Sequence, residues 1–577
     1  MDETTLSAIR KYAVKNAHQY GKADASSVFS KVIAVVPDAK KDISGLRKAV
    51  QDAVNEVNAM SPAELQSSYE SYAEEFSEEQ KSKVEQTSKP KMVIEGAVEG
   101  SVVTRYPPEP GGYMHIGNAK QCILSDEFAK IYNGKIFLYW DDTNPEKCKQ
   151  EYVEAMKSDL DWLGIKFSRE YFASDYIETM YSKGEELILS GNAYACSCEE
   201  QKIKENRFNR VACEHRLLKP EESLKIFKGM IAGEYKEGST VIRLMGDMAS
   251  DNTAIRDPTL FRIKNAPHYR LGSKYSTWPT YHMNTPIIDS INGVTDVIRS
   301  KEYEIWDPVH KLILKALKIK EPRIHSEARL RIKGAVTQKR TLRDFISKGY
   351  IKSWDDPRLL TIAGMKRRGI QPGAIREFVL RFGMSKTDST VGIDMLLSEN
   401  RKIIDQMSKH LFFVGNLFAV QVTEGDFPTD VKLKIRPNDG SAMREYRVGK
   451  DFFIAGEDAK SLHPGSIISL KDLITLEVLS IDAQSKKMSA KKIAPDSGYG
   501  KIVQWVSSGN FMECIVEVPG EMINEEGEFN PDSLKMETGY VESYASRLGK
   551  GDIVQFERFG YCILDDPKSS TFIYISK

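Results

Sequence analysis

Arg105-Tyr-Pro-Pro-Glu-Pro-Gly-Gly-Tyr-Met-His115-Ile-Gly117-Asn118 is the stretch whose reading decides the fold. It follows an apolar run, Met92 to Val103, that predicts a buried strand, and it precedes Ala119 to Tyr132, whose apolar spacing predicts a helix. Strand, glycine-bearing loop and helix N-terminus together make a cradle for phosphate, because free backbone N–H groups and the positive end of the helix dipole both face the anion. The reading therefore places a nucleotide on residues 111–118. Gly117 lets the backbone approach closely, and His115 offers a ring N–H to a phosphate oxygen. A tight turn with a histidine satisfied by its neighbours is the alternative. A proline pair, a glycine pair and a histidine arriving together after a strand favour the phosphate site.

The totals bound what surrounds this loop. At 577 residues the chain is too long for one core and predicts three or four domains. A hydrophobic content of 41% and a charged content of 28% are those of a soluble globular protein. No stretch predicts a membrane span, and the N-terminus lacks a signal-peptide pattern, so a cytoplasmic chain is expected. Lys plus Arg equals Asp plus Glu at 82 each, so binding of a polyanion has to come from local basic surface. Seven cysteines, sparse and odd in number, suit a reducing compartment and make clustered cysteines metal ligands rather than disulfides.

The loop resembles the first signature of class I aminoacyl-tRNA synthetases, and Arg105-Tyr-Pro-Pro-Glu-Pro resembles their glutamyl/glutaminyl branch, close to the archaeal-type glutamyl enzymes. The family usually carries a second histidine where Asn118 stands, and asparagine also donates a hydrogen bond to phosphate. The resemblance implies an ATP site on Pro108, Glu109, Gly112, His115, Gly117, Asn118, Lys339 and Arg340, with His115, Asn118 and Lys339 acting on the reaction. It implies Mg-ATP and tRNA as further requirements, glutamate as the amino acid, and a chain read here as a monomer.

The remaining segments are read in chain order. Residues 1–88 predict a helical extension: Leu6, Ile9, Tyr12 and Ala13, then Leu46, Val50, Val54 and Val57, recur at helical spacing, and Ser61-Pro62 is a helix start. Ser77 to Pro90 is polar and reads as a linker. Residues 92–310 predict a Rossmann-type parallel-sheet domain. Lys135 to Trp140 is its second strand, and it ends at Asp141-Asp142-Thr143-Asn144-Pro145, where carboxylates meet the ligand crevice. Asp141 matches the family's aspartate beside the substrate ammonium, while Asp142 to Asn144 suit the cap of a helix starting near Pro145.

Residues 191–250 read as an insertion in which Cys196-x-Cys198 is followed by Cys213-x-His215, a ligand set able to close a tetrahedral structural zinc site, although the one-residue gaps are tight. Incidental cysteines in a hairpin are the alternative. Farther on, Ile287 to Ile298 predicts two short strands around Asn292-Gly293. By resemblance, Tyr281 lies beside the amino acid, Arg299 pairs with a γ-carboxylate, and Arg105 is a second arginine near the substrate. An amide in place of that carboxylate would leave the Arg299 guanidinium buried and unpaired, a mismatch of several kcal/mol.

Residues 311–405 hold the second signature and helices. Thirteen Lys and Arg face three acids across 311–352, a stripe suited to RNA backbone or triphosphate. Val336-Thr337-Gln338-Lys339-Arg340 stands where the resemblance expects the second signature, with Gln338 in place of the usual serine; Lys339 would neutralise the leaving pyrophosphate. Lys487-Met-Ser-Ala-Lys491 looks closer to the usual string but lies in strand-like sequence and reads as a charged hairpin. Helices are predicted over Pro372–Phe382 and Val391–Asn400. Residues 406–577 switch to short alternating strands and predict antiparallel barrels that, by resemblance, bind the anticodon. The whole is a multidomain α/β plus all-β chain. A glutaminyl enzyme and a catalytically silent tRNA-binding relative are the rival readings.

Overall fold

A parallel sheet must be covered on both faces, so its strands read as near-continuous apolar runs and its helices carry one apolar stripe. The computed structural model describes residues 3–36, 39, 42–72, 96–426, 428–436, 439–494 and 500–577, and divides them between two units, 1–89 and 90–577. The polar stretch Ser77 to Pro90 lies outside the described residues.

Among the described residues the first unit holds four helices, α1 Glu3–Tyr20, α2 Ala25–Val35, α3 Ile43–Asn58 and α4 Pro62–Ser71. Their starts are written in side chains that accept orphan backbone N–H groups: Asp24 from Ser27, Asp42 from Gly45, and Ser61 from Glu64 in a reciprocal capping box with Pro62 in the first turn. Leu46, Val50, Val54 and Val57 form one buried stripe of α3 and pack with Ile9, Tyr12 and Ala13 of α1. Leu6 is exposed instead.

The second unit begins with a parallel sheet. β1 (Val103–Tyr106), β2 (Lys135–Trp140) and β3 (Arg169–Phe172) run side by side, with α5 (Ile116–Ile131) crossing from β1 to β2 and α6 (Gln150–Trp162) from β2 to β3. A four-stranded antiparallel sheet follows, β4 (Ala193–Cys196), β5 (Val241–Leu244), β6 (Thr259–Ile263) and β7 (Thr277–Pro279). The chain then returns through α7 (Tyr281–Ile291) to β8 (Asp296–Ser300), α8 (Asp307–Ala316) and β9 (Arg323–Glu327), which pairs in parallel with β8. Thr295 donates its backbone N–H to Val103 O at 2.9 Å, and its hydroxyl accepts from Val103 N at 2.8 Å, so β8 lies against β1. The spatial order β3-β2-β1-β8-β9 makes the seam between β1 and β8 the place where the chain's winding reverses. Such a seam leaves a crevice at the strands' carboxyl ends. β9 extends this sheet past residue 310.

Three local expectations are corrected. Met92 to Val103 is not one strand: residues 92–95 lie outside the described residues, 96–102 form turns with Gly100 at φ 77°, and Val98 is exposed. The strand starts only at Val103. The first of the two short strands before Asn292 is instead the last half of α7. Met283 to Asp289 is buried throughout, Pro286 and the polar Asn284, Thr285 and Asp289 included, so no exposed polar face marks a helical period. The helix expected near Pro145 begins at Gln150, and the Asp142 carboxylate caps a different segment: it accepts from Ser174 N at 2.8 Å and Ser174 Oγ at 2.7 Å.

Beyond β9, helices Pro372–Phe382 and Asp394–Met407 pack with residues of α5 and β1, while Lys339–Ser347 places Leu342 and Phe345 in a separate core with Val336, Ile351, Leu359 and Met522. The last was expected from Val391, but Ser389–Val391 is a strand paired with Leu330–Ile332. The C-terminal region consists of two seven-stranded sheets and a ribbon, 430–436 with 439–447. Val420, Ile454, Leu476 and Ala490 fill one core, and Val516, Val541, Phe556 and Phe572 the other. Lys487–Lys491 lies in the strand Lys487–Ile493, hydrogen-bonded on both sides.

Candidate functional site

The loop that opens the chain's reading ends as a helix cap. His115 is the N-cap of α5, extended at φ −128° and ψ 172°, and its Nδ1 accepts from Gly117 N at 3.1 Å. Asn118 completes the box from the other side: its Oδ1 accepts from His115 N at 3.2 Å. The Asn118 amide group thus spends its acceptor on the backbone and keeps its NH₂ as donor. Burial, and then the nearby Lys339 cation, push the His115 pKa down to about 4, so the ring is neutral. With Nδ1 accepting, the ring proton sits on Nε2 and that N–H is a donor. A Cβ on Gly117 would stand 2.9 Å from His115 Cε1, so only glycine permits this ring position. Segment 360–362 anchors the loop, with Ile116 N donating to Leu360 O and Ile362 N to Met114 O, both at 2.9 Å.

Lys339 comes to this loop from far along the chain as the first residue of α9 (Lys339–Ser347). Its Nζ would be 3.3 Å from a Cβ built on Gly112, so the lysine occupies the space that glycine leaves open. Arg343, one turn along α9, donates through Nη2 to Gly111 O at 3.0 Å and ties the two segments together. Burial lowers the Lys339 pKa, opposed first by the Glu109 carboxylate. Arg340 and Gln338 are exposed, as is Glu109, while Pro108 is buried and its carbonyl accepts from Asp141 N at 3.1 Å.

The second half of the site spans the β1–β8 seam. Arg105 on β1 is 1% exposed; its Nε lies 3.1 and 3.2 Å from the two oxygens of Asp289 on α7, and its Nη1 donates to Ile298 O on β8 at 3.4 Å. Arg299 on β8 is also buried. Its Nη1 donates to Tyr281 Oη at 3.3 Å and to His310 Nδ1 at 3.4 Å, and its Nη2 donates to Asp307. Burial, and then Arg299 itself, hold His310 well below the usual imidazole range, consistent with a neutral acceptor. At the end of β2, Asp141 Oδ1 accepts from Asn284 Nδ2 at 2.7 Å, and Asn284 also reaches Thr143 Oγ1 at 2.9 Å. Burial, and next the neighbouring Glu109, raise the Asp141 pKa to about 7. Tyr281 packs on Tyr303, with ring centroids 5.6 Å apart, and on Trp306 at 5.2 Å, walling the space between Asp141 and Arg299.

Asp141, Tyr281 and Arg299 therefore converge through α7, with an acid at one end and a guanidinium at the other. Arg105 is near, with its Nε paired to Asp289 and its Nη1 to Ile298 O. Reading the sequence missed Asn284, Tyr303, Asp307, His310 and Arg343. Two left a signal: Asn284 is one helical turn from Tyr281, and Arg343 one turn from Lys339.

The cysteine cluster lies apart, at the end of β4. Cys196, Cys198, Cys213 and His215 present ligand atoms all within 4.8 Å of one another. Cys196 Sγ is 3.8 Å and Cys198 Sγ 3.3 Å from Cys213 Sγ; His215 Nδ1 is 3.5 Å from Cys198 Sγ and 3.1 Å from Cys213 Sγ. A tetrahedral zinc with Zn–S near 2.3 Å sets sulfur pairs about 3.8 Å and sulfur–nitrogen pairs about 3.5 Å apart, so the donor set fits that ion. Arg243, 1% exposed, donates to Cys196 Sγ at 3.8 Å, a partner suited to a thiolate.

Comparison with known proteins is consistent across the chain. The family model for the catalytic domain of class I tRNA synthetases (E and Q) matches residues 101–406, and that for their anti-codon binding domain matches residues 502–565. A glutamate–tRNA ligase of Nitrosopumilus maritimus is 36% identical over 575 residues, covering 100% of both chains. Proteins of the same name from Cenarchaeum symbiosum, 36% identical, and Thermococcus kodakarensis, 35% identical, each cover 98% of both chains.

The raised Asp141 carboxyl carries a signed prediction. Its folded pKa, about 7, exceeds the ordinary 3.8, so the site favours the protonated acid, and that stabilisation is lost as pH rises through about 7. Asp141→Asn is expected to melt above the unsubstituted chain at pH 8, with the gain shrinking as pH falls to about 5. Thermal melts across that range measure it; a gain that grows toward acid would contradict the assignment.

Proposed function

We propose, for a chain that belongs to the class I tRNA synthetases of the E and Q branch, that it joins glutamate to tRNA at the expense of ATP. The observation that carries the reading is the buried Arg299 guanidinium bonded to Tyr281 of α7, the helix whose Asn284 holds Asp141. Asp141, held by Asn284 near its ionisation point, pairs as a carboxylate with the arriving substrate ammonium. Arg299 takes the γ-carboxylate, and Tyr281 lines the side chain between them. Glutamine would set an uncharged amide against that cation, a poorer partner than a carboxylate. Arg105 holds α7 in place through Asp289 and stands as a second arginine near the substrate.

ATP, as its magnesium complex, lies along Pro108, Glu109 and Gly112 to Asn118. The His115 Nε2–H and the Asn118 NH₂ donate to phosphate oxygens, and the α5 N-terminus adds its dipole. The glutamate α-carboxylate attacks the α-phosphorus, the bond to pyrophosphate breaks, and glutamyl adenylate forms. Lys339, with the exposed Arg340 beyond it, neutralises charge gathering on the departing pyrophosphate. The terminal ribose hydroxyl of tRNA then attacks the activated carbonyl and AMP leaves. No side chain forms a covalent intermediate; positioning and charge stabilisation supply the rate. Exposed Lys315, Lys318, Arg331 and Lys333 suit RNA backbone beside the site, and the two C-terminal β-sheets suit the anticodon. Charging of the glutamine tRNA as well as the glutamate tRNA belongs to the same proposal, as do a cytoplasmic setting and a monomeric chain.

Charging purified tRNA isoacceptors with labelled glutamate and glutamine side by side tests the function. Glutamate is expected to be incorporated and glutamine not. Lys339→Ala should slow adenylate formation by about 10² to 10³-fold with little loss of tRNA binding; unchanged aminoacylation would reject Lys339's role.

Cys196, Cys198, Cys213 and His215 would hold a structural zinc with no open position, bracing the insertion rather than taking part in the reaction. Metal analysis of the purified chain is expected to give about one zinc per chain, and Cys198→Ser to lose it and melt lower. A metal-free chain with unchanged melting on chelation would remove the zinc.

A further inference from the structure

The pocket contains two arginine–aspartate pairs, and they are built differently. Arg105 and Asp289 are sealed together, with side chains 1% and 2% exposed and both carboxylate oxygens close to Nε. Arg299 and Asp307 are not. Arg299 is 4% exposed at its side chain, but Asp307 is 26% exposed and offers a single oxygen, Oδ1, to Nη2. The Arg299 Nε N–H is buried and finds no partner among the described residues. The other contacts of that guanidinium, Tyr281 Oη and His310 Nδ1, are neutral. A guanidinium prefers two parallel hydrogen bonds from one carboxylate, and here that fork is half used.

Asp307 is the first residue of α8 and is followed by Pro308, so its backbone is fixed by the helix start while its side chain remains at the accessible edge. Without it, an empty pocket would bury an uncompensated arginine, which folding tolerates poorly. With it, the empty pocket is internally neutral around Arg299. We propose that Asp307 is a stand-in for the substrate's side-chain carboxylate: it holds Arg299 while the pocket is empty, gives up that guanidinium to the glutamate γ-carboxylate, and so sets how strongly glutamate is preferred over glutamine. This rests on the glutamate-pocket reading above.

The physical consequence is a competition. Two carboxylates on one guanidinium repel each other, so glutamate binds only as Asp307 turns toward solvent, and its affinity is reduced by the pair it breaks. Glutamine meets an arginine already satisfied and is rejected less sharply than by a bare cation. Asp307 is thus a positioning residue whose charge weakens both binding and selection.

The test uses the full chain with its tRNA, measuring KM for glutamate, KM for ATP and competition by glutamine. Asp307→Asn keeps shape and an acceptor oxygen but removes the charge. Its KM for glutamate is expected to fall about 3- to 10-fold and glutamine to compete less well, with KM for ATP unchanged. Asp307→Glu restores the charge and is expected to return both glutamate readouts toward the starting values. Asp307→Ser provides the uncharged arm should the asparagine variant fold poorly, with the same expected direction. A KM for glutamate that is unchanged or higher in the uncharged variants, with KM for ATP intact, overturns the proposal. If the unsubstituted chain charges no tRNA with glutamate, it is the pocket reading that fails, and the two failures are distinguishable.

Discussion

Two hydrogen bonds between Val103 and Thr295, residues 192 positions apart, hold the seam on which the rest of the site depends. They set β8 beside β1, so that Arg105 and Arg299 stand on neighbouring strands and the loop ending at His115 follows from the carboxyl end of β1. Arg105 reinforces the seam by donating to Ile298 O across it while gripping Asp289 on α7. Breaking one partner of such a buried pair costs about 3–5 kcal/mol. The pair therefore fixes α7, and with it Tyr281 and Asn284, relative to the sheet. Lys120 of α5, buried against Glu327 and Ala328 O at the end of β9, does the same on the other side.

Within that frame, burial sets the charge states on which the chemistry draws. His115 is kept neutral, so it serves as a donor through Nε2 rather than as a cation competing with Lys339. His310 is neutral for the same reason and acts as an acceptor for Arg299. Asp141 is held near its ionisation point by burial and by Glu109, which makes its charge responsive to an arriving ammonium. A pocket selective for an acidic amino acid thus needs its own acids, because a lone arginine in such a place would be too costly to fold around.

Much of this was legible in sequence. Lys135–Trp140 and Pro372–Phe382 appear with the expected bounds because each combines a periodic or β-rich apolar pattern with a clear boundary signal, a stop at Asp141 for the strand and a start at Pro372 for the helix. The C-terminal strands, such as Ile467–Leu470 and Ile553–Phe556, were readable from alternation and turn residues. The segment before Asn292 was not, because Met283 to Asp289 of α7 is buried throughout with its polar residues inside and Pro286 among them, so no solvent-facing stripe marks a helical period. The start of α6 was missed because Asp142, a good capping residue, is engaged by Ser174 instead. The basic run 311–352 overstated its charge: Lys311, Arg323, Arg329 and Lys348 are paired with acids.

The sequence by itself determined the local chemistry: a glycine-bearing loop with its histidine between strand and helix, an aspartate at a strand end, and a cysteine–histidine set within twenty residues. Those follow from residue type and short-range order, which a linear chain carries. Only the tertiary structure decided that Lys339 lies against Gly112, that Arg105 is paired with Asp289, and that Arg299 shares its guanidinium with Asp307. Pairings of this kind join elements far apart in the chain, and which acid reaches which base depends on how strands and helices pack, a property no stretch of residues holds alone.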